Sequence, residues 1–134
     1  MAIQYTYDVY LGVINTRLDA VVTFKDAEAH FMRMTVDSTI PEGFVELVHF
    51  EAVESFKMEE EDIPRFQELM QQVVNTRGYR GAVLLVRNDF QYGIARMFHN
   101  IVQQIAPVEI AQSEDEVERY IRIIKGEESP DPAE

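Results

Sequence analysis

The chain contains no cysteine. Disulfides, thiolate metal sites and cysteine nucleophiles are excluded together, and a reducing compartment is the default expectation. It also lacks any apolar run near the ~20 residues that a membrane-spanning helix needs. The opening Met1-Ala-Ile-Gln-Tyr5 has none of the basic-then-apolar layout of a secretory signal. The expectation is a cytoplasmic chain without a transmembrane segment. Basic residues are scarce: 12 Lys and Arg against 24 Asp and Glu give a net charge of −12. Such a surface repels nucleic acid and anionic lipid at long range, so no nucleic-acid partner is expected. Catalytic signatures are missing too. There is no nucleophile elbow with its histidine and acid, no HExxH and no Walker loop. No carboxylate stands out in an apolar run where burial would raise its pKa. His99 has no base or metal partner three or four residues away. A non-catalytic chain without cofactor or metal is the expectation.

What is present reads as one domain. At 134 residues the chain can bury roughly two-thirds of its unfolded surface without staples. Its organising stretch is 81–126. Gly81-Ala-Val-Leu-Leu-Val-Arg87 is a nearly pure apolar run, as in a strand buried on both faces. Asn88-Asp89 breaks it, and a helix follows with Ile94, Phe98, Ile101 and Ile105 as its apolar stripe. Pro107 closes that helix, and Val108-Glu-Ile-Ala111 makes a second strand. Ser113 and Glu116 form a capping box that opens a last helix carrying Val117, Tyr120, Ile121 and Ile124. Two strands joined by a helix imply a parallel pair with a right-handed crossover.

Upstream, residues 3–14 alternate. Ile3, Tyr5, Tyr7, Val9, Leu11 and Val13 share one face, in one long strand or two short ones around Asp8–Gly12. Leu18 to Thr23 continues in β-rich residues, and Thr23 with Asp26 starts a helix whose inward side holds Ala27, Phe31 and Met34. His30, at the edge of that face, reads as a partly buried structural histidine. A loop at 37–43 precedes the strand Phe44–Phe50, where His49 reads as hydrogen-bonded. The acid run Glu59–Asp62 then opens a helix with Pro64 in its first turn and Ile63, Phe66, Leu69, Met70, Val73 and Val74 buried. That run lacks the alternating ligands and glycine of a calcium loop. Residues 127–134 are acidic and proline-rich, so the domain is set at 1–126 with a disordered tail after it.

Two segments resemble a known family. Asp19-Ala-Val-Val-Thr-Phe-Lys-Asp26 is similar to the second-strand exit and Thr-x-x-Asp helix start of STAS domains. Ala82-Val-Leu-Leu-Val-Arg-Asn-Asp-Phe-Gln-Tyr-Gly-Ile-Ala-Arg-Met97 resembles the strand and Tyr-Gly-x-x-Arg helix opening of the SpoIIAA-like branch. The order of elements resembles that branch over residues 3–125. The resemblance implies an α/β domain with a mixed, mainly parallel sheet of about five strands and four helices. It also implies a module that docks on a protein partner and is switched by phosphorylating a serine at the start of the second helix. Here that position falls on Met58, with Glu59 and Glu60 following and Lys57 where an acid precedes the serine. The phosphoacceptor is therefore missing. Ser55 lies three residues too early, and Glu59 would imitate a permanent charge.

Candidate site residues follow. Arg87, Asn88, Asp89, Tyr92 and Arg96 lie where a parallel strand's carboxyl end meets a helix start, the usual binding place in open α/β sheets. Met58 and Glu59 mark the position of the missing switch. Arg77, Arg80, Arg87 and Arg96 share their stretch with only Asp89, and they are expected to pair with neighbouring acids. The leading expectation is a regulatory module that binds a partner protein. Binding of a small anionic metabolite or lipid at the Arg87–Arg96 loop is the alternative. Self-association through the tyrosine-rich first strand, giving a homodimer, is a further possibility if that strand lies at a sheet edge.

Overall fold

The computed structural model describes residues 2–129. Its centre is a five-stranded sheet of β1 (Ile3–Asp8), β2 (Val13–Leu18), β4 (Val45–His49), β6 (Gly81–Leu85) and β7 (Val108–Ala111), in that spatial order. Only the β1–β2 pair is antiparallel. A small parallel pair, β3 (Val21–Thr23) with β5 (Ser55–Lys57), lies apart from it. The helices are α1 (Phe24–Val36), α2 (Ile63–Arg77), α3 (Asp89–Val102) and α4 (Glu114–Ile124). The expected α/β architecture, a mainly parallel sheet of five strands with four helices, is what the chain forms.

The layering follows from connectivity. From β2 to β4, β6 and β7 every step goes the same way across the sheet, and right-handed crossovers then place all the connecting helices on one face. Phe31 and Met34 of α1, Phe66 and Met70 of α2, and Phe98 of α3 accordingly join Ile14, Val48 and Leu84 in one large core. Only α4 returns over the opposite face, where Val117 and Ile121 meet Val45, Leu47, Val83 and Leu85. Gly81 lets this closure happen. Its φ of +151° suits glycine, and a Cβ there would lie 2.6 Å from the Pro107 carbonyl oxygen.

The strand register corrects the expected face at the N-terminus. Gly12 at φ +68° and an Asp8 carboxylate that accepts from the Tyr10 and Leu11 amides turn the chain into a hairpin. Alternation restarts after the turn. Val9, Tyr10 and Leu11 are exposed at its tip, while Ile3 and Val13 enter opposite cores. The β run at 18–23 is likewise broken at Asp19-Ala20, and β3 leaves the main sheet. The α2 start shifts as well: Glu60–Asp62 form a 3₁₀ turn and the α-helix begins at Ile63, with Pro64 in its first turn. Thr23 caps α1 as expected, its hydroxyl accepting from the Asp26 amide at 3.3 Å. Ser113 caps α4, but Glu116 accepts from the Gln112 amide rather than completing the box. Glu127, read as tail, donates its amide to the Arg122 carbonyl, and Glu128 pairs with Arg122 at 3.5 Å. Residues 130–134 lie outside the described residues.

Candidate functional site

The residues expected at the site lie where β6 runs into α3. Asn88, not Asp89, is the N-cap: its side chain accepts from the Gln91 amide at 2.9 Å. An extended backbone at Asn88 allows the short amide to reach back over the first turn. Asp89 is exposed one residue later, where its charge suits the positive helix end. Gln91 is buried. Its Oε1 accepts from the Arg87 amide at 2.8 Å, and its Nε2 donates to the Glu51 and Val53 carbonyls at 3.1 and 3.3 Å. One glutamine thus ties the α3 start to the loop after β4. Position 91 precedes Ala95 by four and Phe98 by seven, so the helical period marks it as inward. The buried stripe is Gln91, Ala95, Phe98 and Val102, with Ile94 and Ile101 at its edge. This rotates the expected Ile94–Phe98–Ile101–Ile105 face, because the polar Gln91 is part of it.

Arg87 turns its guanidinium to Glu51, Nε at 3.1 Å and Nη2 at 2.6 Å from one carboxylate oxygen. The other oxygen lies 3.1 Å from His49 Nδ1, and His49 Nε2 donates to Asn15 Oδ1 at 2.9 Å. Both ring nitrogens thus face oxygen atoms, which fixes the ring in place. The Arg87 hydrogen bonds, which outweigh the effect of burial, and His49 hold Glu51 below the usual carboxylate range. The other arginines do not follow the expected pattern. Arg77 donates to the Ile40 carbonyl in the loop after α1 and Arg80 to the carbonyl of Lys125, the C-cap of α4, each a backbone oxygen instead of an acid. Arg96 is exposed and, among the described residues, makes no ion pair.

Tyr92 packs half-buried against the large core. The outward side of α3 instead carries Phe90, 55% exposed, and Met97, 37% exposed, with Gly93 between them. A Cβ at Gly93 would meet nothing within 4 Å. Met58 is half-buried against the large core and Glu59 is exposed before the 3₁₀ turn, its amide donating to Asp62 at 2.9 Å. The position matched to the switch therefore precedes the helix by about a turn, and no hydrogen bond or ion pair among the described residues joins it to Arg87–Arg96.

The ionisable groups that the sequence reading missed lie inside. Glu46, 2% exposed, stands on β4 between Val45 and Leu47. Since both faces of β4 are covered, alternation sends Glu46 into the large core beside Val48. Thr16 and Tyr79 hydroxyls donate to its two oxygens at 2.5 Å each, and His30 Nε2 lies 2.7 Å away. Burial alone would raise the Glu46 pKa. The His30 charge and the three hydrogen bonds outweigh it and hold the carboxyl below its ordinary range. Burial and the same carboxylate push the Tyr79 phenol well up. The expectation that no carboxylate is buried is thus overturned, and His30 is fully rather than partly buried. The set borders a cavity of about 70 Å³ whose wall is mainly aromatic and aliphatic. Among the described residues no three His, Asp or Glu side chains could hold a metal ion, and no helix is long and apolar enough to cross a membrane.

No family model and no curated protein sequence matches the chain. Solved structures do. An uncharacterised DUF3478-family protein of Shewanella loihica PV-4, itself described as having a SpoIIAA-like fold, superposes with a TM-score of 0.57 at 8% identity. The alignment covers 90% of this chain and 92% of that one. SpoIIAA of Bacillus, a cell fate determinant, in its phosphorylated form aligns at a TM-score of 0.49 and 15% identity. It covers 89% of this chain and 99% of that one. With the order and pairing of elements described above, the overlap with the Shewanella protein shows that this chain has the SpoIIAA-like (STAS) fold.

Proposed function

We propose that the chain is a non-catalytic, cytoplasmic interaction module that docks a partner protein on the outer face of α3. Gly93 carries this reading. A glycine inside a helix costs roughly 0.5–1 kcal/mol relative to alanine. Nothing in the chain itself requires it, since a Cβ would project into open space. It leaves a flat spot between Phe90 and Met97, spaced three and four residues along one side of α3. Two exposed apolar side chains around a gap, rimmed by Asp89 and Arg96, have the make-up of a small docking surface. The non-catalytic part is supported by the interior set. Thr16, His30 and Tyr79 each hydrogen-bond to Glu46, so these interior polar groups are taken up by structural bonds. The position matched to the switch is Met58, which has no hydroxyl to phosphorylate.

Anion binding at the Arg87–Arg96 loop has less support. Arg87 is already neutralised by Glu51, and the Arg87 and Gln91 amides already have acceptors. Affinity capture from cells that make the protein tests the docking reading. Wild type should retain one protein in stoichiometric amount, and Phe90→Asp and Arg96→Ala should each lose it. A partner held equally by both variants would contradict the α3 surface.

A further inference from the structure

A second feature lies on the opposite face of the sheet. There α4 covers β4, β6, β7 and Val13 at the start of β2, while Gln4 of β1 and Arg17 at the far end of β2 are exposed. The pairing register lines up Gln4 of β1, Arg17 of β2 and His49 of β4 in one cross-strand row. Directly paired residues share a face and lie about 4.5–5.5 Å apart at their Cβ atoms. The row continues through Leu85 of β6 to Ala111 of β7, both under α4. Its β6–β7 half is thus apolar and closed, and its β1–β2 half polar and open. The open half, with Asp19, Glu51 and Ala52 at its rim, lines a cleft of about 330 Å³. That is the lower end of the size of small-molecule sites. It also lies at the carboxyl ends of the parallel strands β2 and β4, where open α/β sheets bind ligands.

Two acids, Asp19 and Glu51, share the cleft with Arg17. Glu51 is matched twice, by Arg87 and by His49. Asp19 turns one oxygen to the Ala20 amide at 2.8 Å. Arg17 is exposed and, among the described residues, has neither an ion pair nor a hydrogen bond. His49 is held at both nitrogens, so its ring cannot swing out to meet solvent. An exposed guanidinium without a side-chain partner thus stands in the cleft beside a fixed imidazole and the exposed Gln4 amide. A guanidinium fork matches a carboxylate or phosphate with two parallel hydrogen bonds.

We infer that this cleft binds a small metabolite bearing one carboxylate or phosphate group, with Arg17 as its fork and Gln4 as a second donor. His49, fixed between Glu51 and Asn15, forms part of the cleft wall. The site is independent of the α3 surface and stands or falls separately from it. The test is amide NMR titration of the full chain with inorganic phosphate and, separately, with succinate. Succinamide serves as an uncharged control. Saturable shifts at Gln4, Arg17 and His49 with either anion, and none with succinamide, are expected, and the tighter anion identifies the group. Arg17→Gln, at an exposed position, should weaken binding at least tenfold while signals elsewhere stay in place. Lys25→Gln, on the exposed side of α1, should bind as wild type does. Unmoved signals in the cleft, equal shifts with succinamide, or undiminished binding by Arg17→Gln would each overturn the inference.

Discussion

Glu46 is the residue on which the interior turns. A carboxylate held by three donors in a core is costly to leave half-made, because removing one partner strands the rest without water. Glu46→Ala should therefore lower unfolding stability by about 3–5 kcal/mol in urea titration. A loss below about 1 kcal/mol would show that His30 and Tyr79 do not depend on it. The pH dependence has a definite sign. The folded-state pKa of Glu46 is depressed, so its contribution is complete above the unfolded carboxylate range and lost as pH falls through the folded value. Acid unfolding curves of wild type and Glu46→Gln should therefore converge below about pH 4.3, the unfolded glutamate value. Curves that stay parallel down to the acid limit would contradict this. Tyr5 has the opposite sign. Burial and the Asp37 hydrogen bond at 2.6 Å raise its phenol to about 12, so its contribution is whole below the unfolded value near 10 and lost through that window. In absorbance titration, Tyr5→Phe should remove one late-ionising phenolate. Of this interior set only His30 was legible from the chain, as a partly buried structural histidine. A glutamate between valine and leucine reads as a strand residue on a wet face until the register shows that both faces are covered.

Elements were more legible than sites. The Thr23 and Ser113 caps and the apolar run at 81–85 each act through local physics, and the helices and strand they mark are there; α3 ends at Val102, before Pro107 is reached. The alternative of two short strands around Asp8–Gly12 is what forms, and the local turn there resets the alternation that had put Ile3 and Val13 on one face. The inward face of α3 is rotated by the buried Gln91, where a polar residue was assumed to face water. Two variants on α3 separate its local roles. Asn88→Ala removes the cap and should cost about 1 kcal/mol. Gly93→Ala should stabilise the isolated chain by about 0.5–1 kcal/mol, since nothing occupies the space a methyl would take. A destabilising Gly93→Ala would mean that the chain itself needs the glycine, and the docking reading would lose its basis.

For the molecule as a whole, charge and edges set the behaviour. A net charge of −12 opposes the compact state through self-repulsion, and salt screens it. The thermal midpoint should rise as salt goes from roughly 0.05 M to roughly 0.5 M, where the screening length shrinks below about 5 Å. A falling midpoint would give the few ion pairs, such as Arg65 with Glu28 at 3.2 Å, more weight than the general repulsion. The tyrosine-rich β1 does lie at the sheet edge, with β2 on one side and no strand on the other. Pairing with a second copy there belongs with the proposed partner binding, on a surface separate from α3.

The most direct measurement takes the captured partner and titrates it against wild type, Gly93→Ala and Gly93→Leu, with thermal midpoints recorded on the same samples. The account predicts that affinity and stability move in opposite directions. Both variants should melt higher than wild type, and Gly93→Leu should bind at least tenfold more weakly as the flat spot fills. Unchanged affinity in Gly93→Leu would contradict the central claim that this helix face is left open for a partner.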